Sequence, residues 1–187
     1  MATQARMFQV GSYYHVYNRG NRKDKIFPNN EDYSRFLAKL SEYSRRDGVG
    51  IAAWCLMPNH FHLIVSERQE GSISRMMRSL STSTAKYYNW QYGTVGHLCQ
   101  ERFQARLVTS EADLLNVTAY VHANPSQMSN YKTYRWSSYK AYAVGELSPD
   151  MAAVLAMGSL SNRQYLVYVD SYVHEKQLRQ PISGVIA

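Results

Sequence analysis

His60 and His62 stand one residue apart inside the apolar run WCLMPNHFHLIV, residues 54–65. Side chains alternate along a strand, so His60, His62 and Ile64 share one sheet face while Phe61, Leu63 and Val65 take the other. Two imidazoles side by side on one face make a two-toothed platform for a metal ion. They could equally be core histidines, provided that both rings find buried partners. Two ligands do not close a site, so a third must come from another element.

The chain carries 16 tyrosines, so abundance selects none of them as a nucleophile. A tyrosine with an amide or carboxylate four residues later on a helix presents both groups on one face, where one can hold a metal while the other attacks. Tyr43/Asp47, Tyr87/Gln91 and Tyr120/Asn124 pass this test. Tyr14/Asn18 has the spacing but lies on a strand, where four residues span about 13 Å. At about 100° per residue, Tyr87 and Gln91 fall on the apolar stripe of Ile73, Met76, Met77 and Leu80, and Tyr43 joins the buried set of its own helix. Tyr120 and Asn124 lie on the flank of the stripe Leu114, Val117, Thr118 and Val121. That flank can reach a sheet edge and still face a cleft, and Tyr120 leads.

The elements that must position these groups follow from periodicity and punctuation. YYHVYNRG (13–20) reads as a strand closed by glycine. A basic loop follows, then a helix from about Glu31 to Asp47 with Phe36, Leu37, Leu40 and Tyr43 at helical spacing. Strands over Ile51–Met57 and His60–Val65 are joined by Pro58-Asn59, a hairpin turn in which proline presets φ and asparagine tolerates the next position. A helix over Ser72–Gln91, a strand at QARLVT (104–109) and a helix over Glu111–Asn124, stopped by Pro125, complete the series. Strand–helix–strand–strand–helix–strand is the order of an α+β, ferredoxin-like (RRM-like) antiparallel sheet with helices packed on it. Beyond Pro125 come a tyrosine-rich stretch, YKTYRWSSYKAYAVG, and one or two helices between about Ser148 and Leu178. The expected organisation is a main domain over 1–147 and a helical extension over 148–187 within the same globule.

Composition narrows the function. The 187 residues carry a net charge of +7, and the excess is one-sided: residues 1–106 hold 15 Lys/Arg against 8 Asp/Glu, while 107–187 hold 6 of each. A basic half is the electrostatic footprint of a protein that grips phosphates, although a generic basic surface would look the same. The longest apolar stretch, IAAWCLM, is far too short to cross a membrane, and no leader resembles a signal peptide. Cys55 and Cys99 form no CxxC pair and read as buried thiols of a reducing, cytoplasmic compartment.

MPNHFHLIV (57–65), with YVHANP (120–125) some sixty residues later, resembles the single-tyrosine HUH transposases of the insertion-sequence-200-like family, and more closely their REP-associated branch. QERFQARLV (100–108) and YRWSSYKAY (134–142) are similar to that family too, so the resemblance spans roughly residues 10–145. It implies that Tyr120 is the nucleophile and that His60, His62 and Asn124 hold one divalent metal, Mg²⁺ or Mn²⁺. It implies metal-dependent cleavage and transfer of single-stranded, hairpin-bearing DNA through a 5′-phosphotyrosine. The short insertion-sequence members tend to place glutamine where Asn124 stands and lack so long an extension. Both departures favour the REP-associated branch and speak against the obligate dimer of the short members, leaving a monomer or weak homodimer; the resemblance further implies action on nucleoid DNA in a bacterial cytoplasm. His15 and His122 remain candidates for a further strong ligand, and His97 for a DNA contact or an exposed residue.

For the DNA itself, Arg19, Asn21, Arg22, Lys23 and Lys25 interleave cations with polar residues in the loop after the first strand, a pattern suited to phosphates. Arg102 and Arg106 flank Phe103 in the same sense. Tyr13, Tyr14, Tyr17, Trp54 and Trp90 could stack on bases but read more readily as packing. Two other functions fit the same residues: a domesticated binder of structured single-stranded DNA with little or no chemistry, and a metallohydrolase using an activated water.

Overall fold

The computed structural model describes residues 7–178, so the last part of the expected extension, from 179 on, lies outside the described residues. Four strands, β1 (Tyr13–Arg19), β2 (Val49–Met57), β3 (His60–Glu67) and β4 (Gln104–Leu107), form one antiparallel sheet in the order β2-β3-β1-β4. Helices α1 (Asn30–Asp47) and α2 (Ser72–Tyr92) alternate with the strands as in the ferredoxin-like order. They cover one sheet face, where Val16, Leu56, Phe61, Leu63 and Val65 meet Phe36, Leu40, Ile73, Met76 and Leu80. Asn29 caps α1 in a reciprocal box with Asp32, and Gly48 ends it in the left-handed conformation (φ 70°) that favours glycine. Glu67 does a cap's work for α2: its carboxylate accepts from the amides of Ser72 and Ile73.

The opposite face carries α3 (Glu111–Ala123) and α5 (Pro149–Met157). There Ala52, Ala53, Cys55, Met57 and Ile64 pack against Leu114, Val117, Val121 and Val154. Small residues on β2 let these helices come close. The far side of α3 is covered by α4 (Tyr139–Val144) and α6 (Asn162–Leu178) around Tyr142, Tyr165 and Val169, so the C-terminal helices complete a third apolar layer.

The sheet alternation predicted for residues 60–65 is present: Phe61, Leu63 and Val65 face α1 and α2, and Ile64 faces α3. Two details differ from the sequence-based expectation. β4 stops at Leu107, because Thr109 and Ser110 turn away to cap α3, where the Ser110 hydroxyl accepts from Asp113 N and the Asp113 carboxylate from Thr109 N. The tyrosine-rich stretch runs beside β2 before it becomes helical. Leu56 N bonds Trp136 O and Ser138 N bonds Trp54 O, which occupies groups that an edge strand would otherwise leave unpaired. Among the described residues no helix is long and apolar enough to cross a membrane.

Candidate functional site

The face of β3 that carries His60 and His62 looks at α3, which lowers Tyr120 onto the pair. The Tyr120 ring stands 5.3 Å from that of His62, and the two histidine rings are 5.2 Å apart, both nearly perpendicular. Asn124, one turn after Tyr120, keeps helical angles (φ −54°, ψ −40°) although Pro125 ends the α-helix there. Its side chain therefore stays on the Tyr120 face, with Oδ1 2.9 Å from His60 Nε2 and a hydrogen bond to the Tyr120 phenol. Of the three tyrosine pairs found by spacing, this is the one that meets the histidines. Tyr43 packs beside the first core and takes cations on its ring, Asp47 is held by Arg46, and Tyr87 lies under the Arg35 guanidinium.

His60 carries an unresolved demand. Its Nδ1 lies 2.7 Å from Asn59 Oδ1, and Asn59 Nδ2 donates to Lys23 O, which fixes that amide with its oxygen toward the ring. Burial holds the His60 pKa below its ordinary value, against the pull of Asn124, so the ring is neutral at pH 7 and has one proton to give. With that proton on Nδ1, the Nε2 lone pair faces Asn124 Oδ1 at hydrogen-bond distance. Two lone pairs converging on one point suit a cation, and an amide oxygen with imidazole nitrogens is a donor set that divalent ions accept. His62 is 7 % exposed, and burial, reinforced by His15, His60 and Lys176, pushes its pKa well down. It too is a neutral imidazole, the form that binds metals. The residues fit a divalent ion with open positions left for substrate. Among the described residues no three of His, Cys, Asp or Glu cluster as a metal site, so the amide is essential to this fit.

The basic loop is tied to the same spot. Gly20 N bonds Asn59 O, Ile26 N and Phe27 N both bond Pro58 O, and Asn21 N bonds Leu98 O. A side chain at position 20 would run into Asp24 O, 2.0 Å from an ideal Cβ, so the loop closes this tightly only with glycine. Arg22 and Lys23 adopt positive φ (53° and 69°) in the short 3-10 turn Asn21–Lys23. Two clefts open beside the histidines. One, of about 590 Å³, is lined by Lys23, Lys25, His60, Tyr120, Asn124 and Lys176 among others. The other, of about 400 Å³, is lined by Tyr17, Arg19, His60, His62, Arg102 and Tyr120 among others.

The predicted DNA-contact residues thus divide. Lys23 and Lys25 line the first cleft, and Arg19 and Arg102 the second. Asn21 and Arg22 are exposed on the turn beside them. Arg106 lies farther along β4, gripped by both carboxylate oxygens of Asp113 at 2.8 and 2.9 Å. Of the aromatic residues weighed for stacking, Tyr17 (38 % exposed) opens onto the site; Tyr14 is core, Trp54 packs beside it, and Trp90 is exposed at the end of α2. His97 is exposed in the loop before β4.

His122 is not a ligand. It is fully buried on the other side of α3, with Nδ1 2.7 Å from Tyr165 Oη and Nε2 2.8 Å from Ser138 Oγ. His15 lies behind His62, with Nε2 2.9 Å from His62 Nδ1. Two participants carry no signal of their own in the sequence. Asn59 reads there only as a turn residue. Lys176 reaches from α6 to within 5.4 Å of the Tyr120 ring centre, and its distance along the chain hides it. Burial raises the Tyr120 pKa while the Asn124 hydrogen bond works to lower it.

The sequence pattern of the family described as "Transposase IS200 like" matches residues 8–124, more than half of the chain. Among solved structures, a REP-associated tyrosine transposase bound to a REP hairpin is similar, with 18% identity and a TM-score of 0.64 over 80% of this chain and 90% of that one. A protein from Deinococcus radiodurans R1, described as a candidate transposase, gives 15% identity and a TM-score of 0.45 over 59% and 88%. No curated protein matches.

Proposed function

The chain belongs to the IS200-like transposase family, and from that premise we propose that it cuts and rejoins single-stranded DNA near hairpins through a covalent bond between Tyr120 and a 5′-phosphate. The observation that carries this reading is the convergence of Tyr120 and Asn124, from one turn of α3, on the two histidines of β3. The hairpin on the similar solved protein supports a hairpin substrate for this one.

His60 Nε2, His62 Nε2 and Asn124 Oδ1 would hold Mg²⁺ or Mn²⁺, which when bound supplies charge neutralisation at non-bridging oxygens of the scissile phosphate. Tyr120 Oη attacks phosphorus as its phenolic proton passes to water in the open cleft. The Oη–P bond forms and the P–O3′ bond breaks. Its electron pair leaves on the 3′-oxygen, which takes a proton from water. A later attack by a DNA 3′-OH reverses these changes and releases Tyr120, so no outside energy source is needed. A phenol of ordinary pKa about 10 is a poor nucleophile at pH 7. The Asn124 amide, which works to lower the Tyr120 pKa, and the Lys176 ammonium above the ring both favour the developing phenolate. Lys23 and Lys25 in one cleft, and Arg19 and Arg102 in the other, hold the backbone on either side of the break.

The test is a denaturing gel of protein, Mn²⁺ and hairpin oligonucleotides taken from the flanks of the protein's own gene. A 3′-labelled strand should migrate with the protein and a 5′-labelled strand should shorten. Both effects should vanish in Tyr120→Phe and with EDTA. Binding without either effect would favour a domesticated hairpin binder. Cleavage that survives Tyr120→Phe would favour a hydrolase.

A further inference from the structure

His15 is an imidazole that this mechanism does not use. It sits on β1, paired across the strand with Ile64, while its neighbour Tyr17 pairs with His62. This register puts His15 diagonal to His62 on the same sheet face, within reach of a long side chain. His15 is 7 % exposed, closed in by the rings of Tyr17 at 5.0 Å and Tyr120 at 5.8 Å. Its Nε2 meets His62 Nδ1 at 2.9 Å, with ring centres 5.0 Å apart and planes 27° from parallel, so the two rings approach edge to edge along the hydrogen bond.

A hydrogen bond between two neutral imidazoles uses one proton, and its owner decides what His62 can do. If His15 donated, His62 would carry its own proton on Nε2, and that nitrogen would have no lone pair for a metal. If His62 donates from Nδ1, its Nε2 lone pair is free on the edge away from His15, beside the cleft that His62 shares with His60 and Tyr120. A ligating histidine in general gives its second N–H to an acceptor that fixes tautomer and ring orientation.

The geometry points to His15 as the positioning residue of the site: its Nε2 accepts the Nδ1–H of His62 and thereby holds His62 in the tautomer that leaves Nε2 open to a divalent ion. This inference rests on the reading of His62 as a metal ligand. It assigns His15 no contact with metal or DNA. The element that bears the basic loop is thus also the element that sets the ligand, so β1 serves the site twice.

The test uses the full-length protein labelled with ¹⁵N-histidine. Without metal, long-range proton–nitrogen spectra should show His62 protonated on Nδ1, and a His62 protonated on Nε2 would overturn the proposal with no variant needed. Mn²⁺ titration followed by electron paramagnetic resonance then compares variants. His15→Phe should weaken Mn²⁺ binding about 10–100-fold. His15→Gln, whose amide oxygen reaches the place of the missing Nε2, should recover most of that affinity. Unchanged affinity in a folded His15→Phe protein would overturn the proposal, as would failure of His15→Gln to improve on it. Should His15→Phe not fold, the wild-type tautomer and the His15→Gln affinity decide. The outcome is separable from the fate of the proposed reaction. A wild-type protein with the expected tautomer but no DNA adduct loses the reaction and keeps His15's role; one that forms the adduct with the other tautomer loses only that role.

Discussion

Two histidine environments lie on opposite sides of α3, and the contrast between them separates site from core. His122 has a closed set of partners: Tyr165 Oη–H can donate to Nδ1, Nε2–H can donate to Ser138 Oγ, and Ser138 bonds onward to the backbone of Trp54. One proton comes in, one goes out, and the ring is sealed by Tyr139, Tyr142 and Tyr165. His60 is half-buried at a cleft and meets two amide oxygens with one proton. A buried polar group whose partners balance is part of the fold, while one whose lone pairs converge unmatched is prepared for something else. Tyr120 and His122, two residues apart, face these two worlds.

The largest break in this contrast should come from His60→Ala and His62→Ala. Each should lower the rate of DNA adduct formation by about 10²–10³-fold in a protein that still folds, with a lower melting temperature for His62→Ala alone, because that change leaves the buried His15 without its partner. Loss of folding in either variant would make these rings structural, like His122. The converse is His122→Phe, which strands the Tyr165 hydroxyl. It should cost about 1–3 kcal/mol in chemical denaturation and leave the adduct rate per folded molecule unchanged.

The two kinds of variant also differ in their pH response. Burial holds the His122 pKa down at about 3, against an ordinary value of 6.5. The unfolded chain therefore binds more protons between those values, so this contribution to stability is whole above pH 6.5 and fades as pH falls toward 3. The slope is about 1.4 kcal/mol per pH unit. The gap between wild type and His122→Phe should close on acidification, measured as denaturation midpoints from pH 7 to 4, and a constant gap would contradict the assignment.

Lys176 marks how far the site borrows from the last helix. Lys176→Met should slow adduct formation several-fold while leaving hairpin affinity nearly as it was, as seen by single-turnover kinetics beside a binding titration. The smallest effect belongs to the exposed turn. Replacing Arg22 and Lys23 with alanine should flatten the salt dependence of single-strand binding by about 0.7 in log–log slope for each phosphate that is no longer neutralised. An unchanged slope would remove the turn from the interface.

Much of this is legible before the fold. Alternation alone sets His60 and His62 on one face, and a four-residue spacing on the flank of a helix picks out Tyr120 with Asn124. Both are local rules, and both hold because strand and helix periods are local properties. What sequence cannot supply is register. That His15 meets His62 depends on how β1 slides along β3, which no short window contains. Lys176 reaches Tyr120 because α6 packs on α3, and its own pattern reads as packing. Arg106 looks in the sequence like a phosphate cation; its carboxylate partner Asp113 comes from the turn that starts α3, seven residues on.

The central claim is that Tyr120 is a nucleophile served by the two histidines. It is tested most directly by incubating the protein with Mn²⁺ and hairpin-bearing single strands, then mapping the adduct by peptide mass spectrometry. The account predicts a nucleotide mass on the peptide that contains Tyr120, absent with EDTA and absent in His60→Ala. A covalent mass on a different tyrosine, or cleaved DNA with every tyrosine unmodified, would contradict it.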